Sequence, residues 1–177
     1  MLLKMPHWAP PVLTELFTRL HGDPFWEHLV EGLIGQGSAR FSTHLGVFVE
    51  PYLGFVLDGK KPIDSRFSIN QCAPYKSISK GDVVLLKESG GPIVGICMVS
   101  NVWFYELDPD SWRTIRSDFA ALLCATEASF WEAREHASFA TLIRLKNVRS
   151  VSPIPCHKKD RRGWVVIQTP DHQEALF

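Results

Sequence analysis

Apolar residues recur at helical spacing at the start of the chain. Leu13, Leu16, Phe17 and Leu20 follow Pro10 and Pro11 and stand three, one and three residues apart, one face of a helix. Gly22 closes that stretch. Asp23 then supplies an N-cap and Pro24 a first helical residue. Phe25, Trp26, Leu29, Val30 and Leu33 form a second stripe, which Gly35 and Gly37 end. The pattern predicts a helical hairpin over residues 11–35 and a Gly- and Ser-rich linker from Gly35 to Ser42.

From Thr43 the period changes to two. Leu45, Val47 and Val49 alternate, which predicts a strand over 44–49. Leu53, Val56 and Leu57 after Pro51 predict a short helix ending at Gly59. Further strands are expected at Ile63–Phe67, Val83–Leu86 and Ile93–Val102, with turns at Ser79–Asp82 and Gly90–Pro92. A helical insert then begins at Asp108-Pro109. It runs past Phe119, Leu122 and Leu123 to Ser129 and Glu132, which have the spacing of a capping box. Strands return at Ala140–Leu145, with Val148 and Val151 after it, and at Trp164–Gln168, separated by Pro153 and Pro155. About five or six strands with short helices and no βαβ repetition argue against a doubly wound nucleotide fold and for a small, partly open β-barrel of the α+β class. The expected organisation is a helical extension over 1–42, a barrel over 43–169 and a short tail over 170–177.

Composition narrows the chemistry. Six Trp, eleven Phe and three Tyr exclude a disordered chain. Lys and Arg number 19 and Asp and Glu 19, so any contact with nucleic acid must come from a local patch. The four cysteines stand singly, and the seven histidines show no ligand spacing, so no metal and no cofactor is expected. Single cysteines predict buried thiols in a reducing compartment. No membrane span and no signal peptide is read, which makes the cytoplasm the expected location.

Two polar clusters stand out. The first is Gly59-Lys60-Lys61-Pro62-Ile63-Asp64-Ser65-Arg66. On a strand Asp64 and Arg66 share a face, and Lys61 reaches it from the helix–strand junction. Such a trio has three uses. Lys and Arg hold a phosphate or a base edge with Asp positioning them; the Lys is catalytic if burial lowers its pKa; or the group is a salt-bridged junction with Lys61 solvated. The second cluster is Cys156 to Trp164, where Lys158, Lys159, Arg161 and Arg162 surround Asp160. These cations suit a phosphate backbone, and Trp164 suits base stacking if its ring faces outward. An ordinary solvated loop with a buried Trp is the alternative. Tyr75, Trp103, Phe104 and Tyr105 are further candidates for a cleft wall, with a core role the plainer reading.

Gly59, Lys61 and Arg66 resemble in spacing and identity the Gly-x-Lys-x-x-Glu-x-Arg signature of the ASCH domain family, with Asp64 in place of the Glu. The preceding helix from Glu50 to Leu57, the Lys80-Gly81-Asp82 turn before Val83–Leu85, and the strands Gly95–Val102, Thr141–Leu145 and Gly163–Ile167 resemble the family's order of elements over about residues 43–168. The resemblance implies a PUA-like barrel and a cleft that receives a nucleotide or nucleobase. It implies single-stranded or modified RNA as the partner. It also implies an alternative: a hydrolase acting on 4-acetylcytidine or on single-stranded RNA. In the amidohydrolase members the signature Lys acts with a Thr three residues later and a Glu on a later helix. Lys61 matches that Lys. Asp64 has no hydroxyl to act as nucleophile, and Glu127, then Glu132, are the candidates for the Glu. The N-terminal helices lie outside the resemblance and are expected to offer a protein partner or homodimer surface.

Overall fold

The computed structural model describes residues 5–34 and 40–170. Most of the expected linker and all but the first residue of the expected tail lie outside them. The elements run α1 (Ala9–Leu20), α2 (Trp26–Ile34), β1 (Thr43–Phe48), α3 (Tyr52–Leu57), β2 (Ile63–Ser68), β3 (Val83–Glu88), β4 (Ile93–Glu106), α4 (Pro109–Asp118), α5 (Ala128–Glu132), β5 (Phe139–Ile154) and β6 (Trp164–Gln168). The strands form one mixed sheet in the order β2-β5-β4-β3-β1-β6. β1 and β3 are parallel and the other neighbours antiparallel. The sheet curls into a half-barrel with short helices inserted, the α+β architecture expected.

The hairpin forms for the expected reasons. Pro10 and Pro11 stand in the first turn of α1, where a missing N–H costs nothing. Before α2, Asp23 Oδ1 accepts hydrogen bonds from the N–H groups of Phe25 (3.0 Å) and Trp26 (2.9 Å). Those bonds, the Trp26 N–H foremost, hold its carboxyl below the usual range. Val12, Leu13, Leu16 and Leu20 of α1 and Trp26, Val30 and Leu33 of α2 pack in one cluster with Leu45, Val83, Leu85, Ile96, Ile154 and Ile167 of the sheet. Arg149 of β5 adds a polar tie, its Nε 3.1 Å from Asp23 Oδ2. The sheet carries two smaller clusters on opposite faces, since Ile143 of one and Leu142 of the other are consecutive on β5. One is built around α3 and Trp164, the other around α4, α5 and β2.

Three local expectations are corrected. β4 extends to Glu106, so Trp103, Phe104 and Tyr105 are strand residues. The segment that looked broken after Leu145 is one sixteen-residue strand, bent where its register with β4 shifts. Ser129 and Glu132 form no capping box: α5 starts at Ala128, so Ser129 lies inside it, and Glu127 caps it without a side-chain hydrogen bond. The box is formed instead by Asp108 and Ser111, which exchange reciprocal hydrogen bonds at the start of α4. Of the cysteines, only Cys97 is buried, and Cys72 is exposed. Among the described residues no helix is long and apolar enough to cross a membrane.

Candidate functional site

Gly59 fixes the approach to the site. It follows the last turn of α3 with φ +75°, which favours glycine, while nothing lies within 4 Å of where its Cβ would be. The conformation, not crowding, therefore explains this glycine. Its N–H donates to Val56 O (3.1 Å), and the Lys60 N–H to Phe55 O (2.8 Å). The two bonds make a Schellman termination, which reverses the chain sharply. The reversal sends Lys60 outward to an exposed position near Asp58 (3.8 Å) and turns Lys61 inward.

Lys61 is 3% exposed. Its Nζ donates to Ile63 O (2.9 Å) and to Leu123 O (2.8 Å), and it lies 5.5 Å from the centroid of the Tyr52 ring. Burial lowers its pKa below the ordinary 10.5, opposed by the carboxylate of Asp64. Between the folded pKa and 10.5 the unfolded chain holds more protons at this position than the folded one, so stability rises with pH across that window. The unfolding free energy of wild type is expected to gain on that of Lys61→Met as urea titrations move from pH 7 toward 10.5. A difference that stays constant with pH would mean that Lys61 is not desolvated.

Asp64 and Arg66 share a face of β2, as the strand period requires. Arg66 Nε donates to Asp64 Oδ2 at 2.7 Å. Its Nη1 donates to Val47 O (2.9 Å) at the end of β1 and to Gly163 O (3.1 Å) just before β6. The guanidinium lies over the rings of Phe48 (4.6 Å) and Trp164 (5.0 Å). Arg66 thus joins β2, one end of the sheet, to the segments beside the other end. Most of its donors are spent on the protein, and its part in the site is to hold Asp64. The half-barrel is closed at this point by a side chain rather than by a strand ladder.

Trp164 belongs to the wall behind. It is 5% exposed, so its ring is not presented for base stacking. Its indole N–H donates to His44 Nδ1 at 3.1 Å. An indole nitrogen can only donate, so His44 carries its proton on Nε2 and donates it to Asp82 Oδ2 (3.1 Å). Asp82 also accepts the N–H groups of Ser42 and Ser79. At Gly46, paired with Trp164 across β1 and β6, a Cβ would lie 2.9 Å from the Trp164 ring; glycine is needed there for close approach.

Lys61, Asp64, Ser65 and Arg66 line a cavity of about 410 Å³. Tyr52, Phe67 and Phe130 give it aromatic walls, and Arg134 stands at its side. The sequence reading missed Tyr52, Phe130 and Arg134. The residues after α5 carry no periodicity or motif that marks Arg134. Of the other expected residues, Glu127 and Glu132 are exposed and line no part of the cavity. α5 turns Phe130 toward it instead. Tyr75 packs on Phe104 and Phe139, and Trp103 on Phe119, away from the cleft. In the loop before β6, Asp160 accepts from both Lys158 and Arg162, which hold its carboxyl well below the usual range. Lys158 is therefore spent within the loop, and Arg162 largely so. Lys159 and Arg161 are exposed, with no carboxylate partner among the described residues. Among the described residues no group of three or more His, Cys, Asp or Glu could hold a metal.

No family model and no curated protein matches the sequence. Solved structures do match. The chain is similar to the crystal structure of ASCH from Zymomonas mobilis, with TM-score 0.52 and 13% identity over 63% of this chain and 72% of that one. Two single-residue variants of that protein give TM-scores of 0.50 and 0.52 at 14% and 13% identity, covering 74% and 72% of their chains. At this identity the likeness is one of fold.

Proposed function

We propose, from an ASCH-like fold whose cleft is walled by aromatic rings, that the protein binds one nucleoside unit of single-stranded or modified RNA between Lys61 and Asp64. The observation that carries this reading is the pairing of one donor and one acceptor at the edge of a nucleoside-sized cavity. An ammonium has three N–H groups, and Lys61 spends two on main-chain carbonyls. Asp64 spends Oδ2 on Arg66. The third Lys61 proton and Asp64 Oδ1 are left for the donor and acceptor edge of a base, and the half-buried rings of Tyr52 and Phe67 for its faces. Lys159 and Arg161 are the cations left to meet the backbone outside. A partner or homodimer contact through the N-terminal helices rests on Phe25 and Ile34, each 44% exposed.

A hydrolase is the second reading, and the burial of Lys61 favours it. An amine that keeps two N–H groups on carbonyls presents its lone pair to the cavity once deprotonated. A lowered pKa brings that state closer to neutral pH. With Asp64 where a hydroxyl nucleophile would stand, the nucleophile in this reading is water, activated by Lys61.

Calorimetric titration with the four ribonucleosides and 4-acetylcytidine, each mixture then analysed by chromatography, separates the two. Binding without turnover, weakened about tenfold to a hundredfold by Lys61→Ala and by Asp64→Asn, is the expected result; it corresponds to roughly 1–3 kcal/mol per lost polar contact. Release of acetate that depends on Lys61 moves the assignment to the hydrolase. Failure of every nucleoside to bind at millimolar concentration removes the reading.

A further inference from the structure

Arg134 stands in a wall common to two cavities. One is the cleft of about 410 Å³. The other, of about 450 Å³, shares Phe67, Ala133 and Arg134 with it and is lined further by Ser68, Asn70 and His136. The guanidinium is already fixed: it lies 3.8 Å over the Phe130 ring, and Nη1 donates to Phe130 O at 2.6 Å. Its other N–H groups have no acceptor among the described residues. The lining of the second cavity contains no Asp or Glu. In the first, Asp64 is the one carboxylate, and it is bound to Arg66. Glu135, next in the chain, pairs with His136 (3.4 Å).

We propose that the second cavity is a binding subsite for the adjoining nucleotide of a single strand, with the intervening phosphodiester on Arg134. The inference rests on the nucleoside reading of the first cavity and adds a site to it. A nucleic-acid strand repeats nucleoside, anion, nucleoside; the groove repeats hollow, cation, hollow. A guanidinium locked against a ring and a carbonyl loses little freedom on meeting a phosphate, and its planar fork matches the phosphate oxygens. Asn70 supplies donors and an acceptor for the second base or ribose, and the exposed His136 ring offers it a face. The hollow beside Trp112 suits a base less well. That ring is already stacked on Phe67 (5.4 Å, 3°) and approached by the Arg116 guanidinium (5.7 Å).

The test is calorimetry on the full chain with the four ribonucleosides, their 3′-monophosphates, and the four homodinucleotides carrying 2′-fluoro groups, which block cleavage through the 2′ oxygen. For the preferred base, the dinucleotide is expected to bind at least tenfold more tightly than the nucleoside and severalfold more tightly than the monophosphate. Arg134→Gln should bring the ratio of dinucleotide to nucleoside affinity close to one. Asn70→Asp, at an exposed loop position, adds an anion beside the phosphate path. It should weaken the dinucleotide severalfold and leave the nucleoside unchanged. If Arg134→Gln fails to fold by thermal melting, Asn70→Asp carries the test. A wild-type ratio near one overturns the subsite and leaves the nucleoside reading standing. A monophosphate equal to the dinucleotide, or a ratio untouched by either variant, also overturns it. Binding of neither nucleoside nor dinucleotide overturns both.

Discussion

A chain from which residues 1–36 have been deleted is expected to aggregate on expression instead of yielding a smaller soluble barrel. The hairpin contributes Trp8, Val12, Leu13, Leu16, Leu20, Trp26, Val30 and Leu33 to a cluster shared with the sheet, and each is at most 5% exposed. A buried side chain of this size is worth about 1.5–3 kcal/mol. The group as a whole therefore matches or exceeds the 5–15 kcal/mol typical of an entire domain. Deletion also uncovers Leu45, Val83, Leu85, Ile96, Ile154 and Ile167, a contiguous apolar face of the kind that drives association. Light scattering of the purified fragment checks this. A monodisperse fragment with the thermal midpoint of the full chain would mean that the hairpin is an independent extension.

Arg66→Ala is expected to lower stability by about 3–5 kcal/mol, the usual cost of breaking a buried ion pair by removing one partner. For a chain of this length that is a fall of about 10 °C in the thermal midpoint. The loss has several sources: Asp64 loses its hydrogen-bonded partner, two carbonyls lose their donor, and Phe48 and Trp164 lose the cation packed on their rings. Removing both charges should cost less than the two single changes added, because the double variant leaves no orphaned carboxylate. Thermal melts of Arg66→Ala, Asp64→Ala and the pair form the cycle. An unchanged midpoint in Arg66→Ala, with ligand binding lost, would make Arg66 a ligand contact and not a latch.

Much of this architecture is legible in the sequence because it is local. The heptad-like spacing of Leu13, Leu16 and Leu20, the alternation from Leu45 to Val49, and the cap chemistry at Asp23 and Asp108 each depend on a few neighbouring residues. The Gly59–Lys61–Arg66 spacing is local too, and it led to the cleft. What those residues do there is not local. The Lys61 ammonium is buried because a carbonyl 62 residues away, that of Leu123, receives it, and Arg66 is spent on Gly163, 97 residues on. No pattern within a window marks such partners. The loop of four cations looked like a positive patch for the same reason. Its formal charge was visible, but the fold of the loop around Asp160, which consumes Lys158 and most of Arg162, was not. Arg134 was invisible because a single cation beside a five-residue helix has no signature of its own.

The route by which the cleft is assembled also has a consequence in time. A ribosome delivers α3 and β2 early, and with them Lys61, Asp64 and Arg66. The Leu123 carbonyl follows Lys61 by 62 residues, and the Gly163 carbonyl follows Arg66 by 97, with the Trp164 ring next to it. Long-range closure of this kind is slow relative to local structure. Until it happens, Lys61 is an ordinary solvated cation and Asp64 an ordinary carboxylate. The cleft therefore depends on residues far along the chain: no nascent fragment that stops short of residue 163 carries it, however well its first strands have paired.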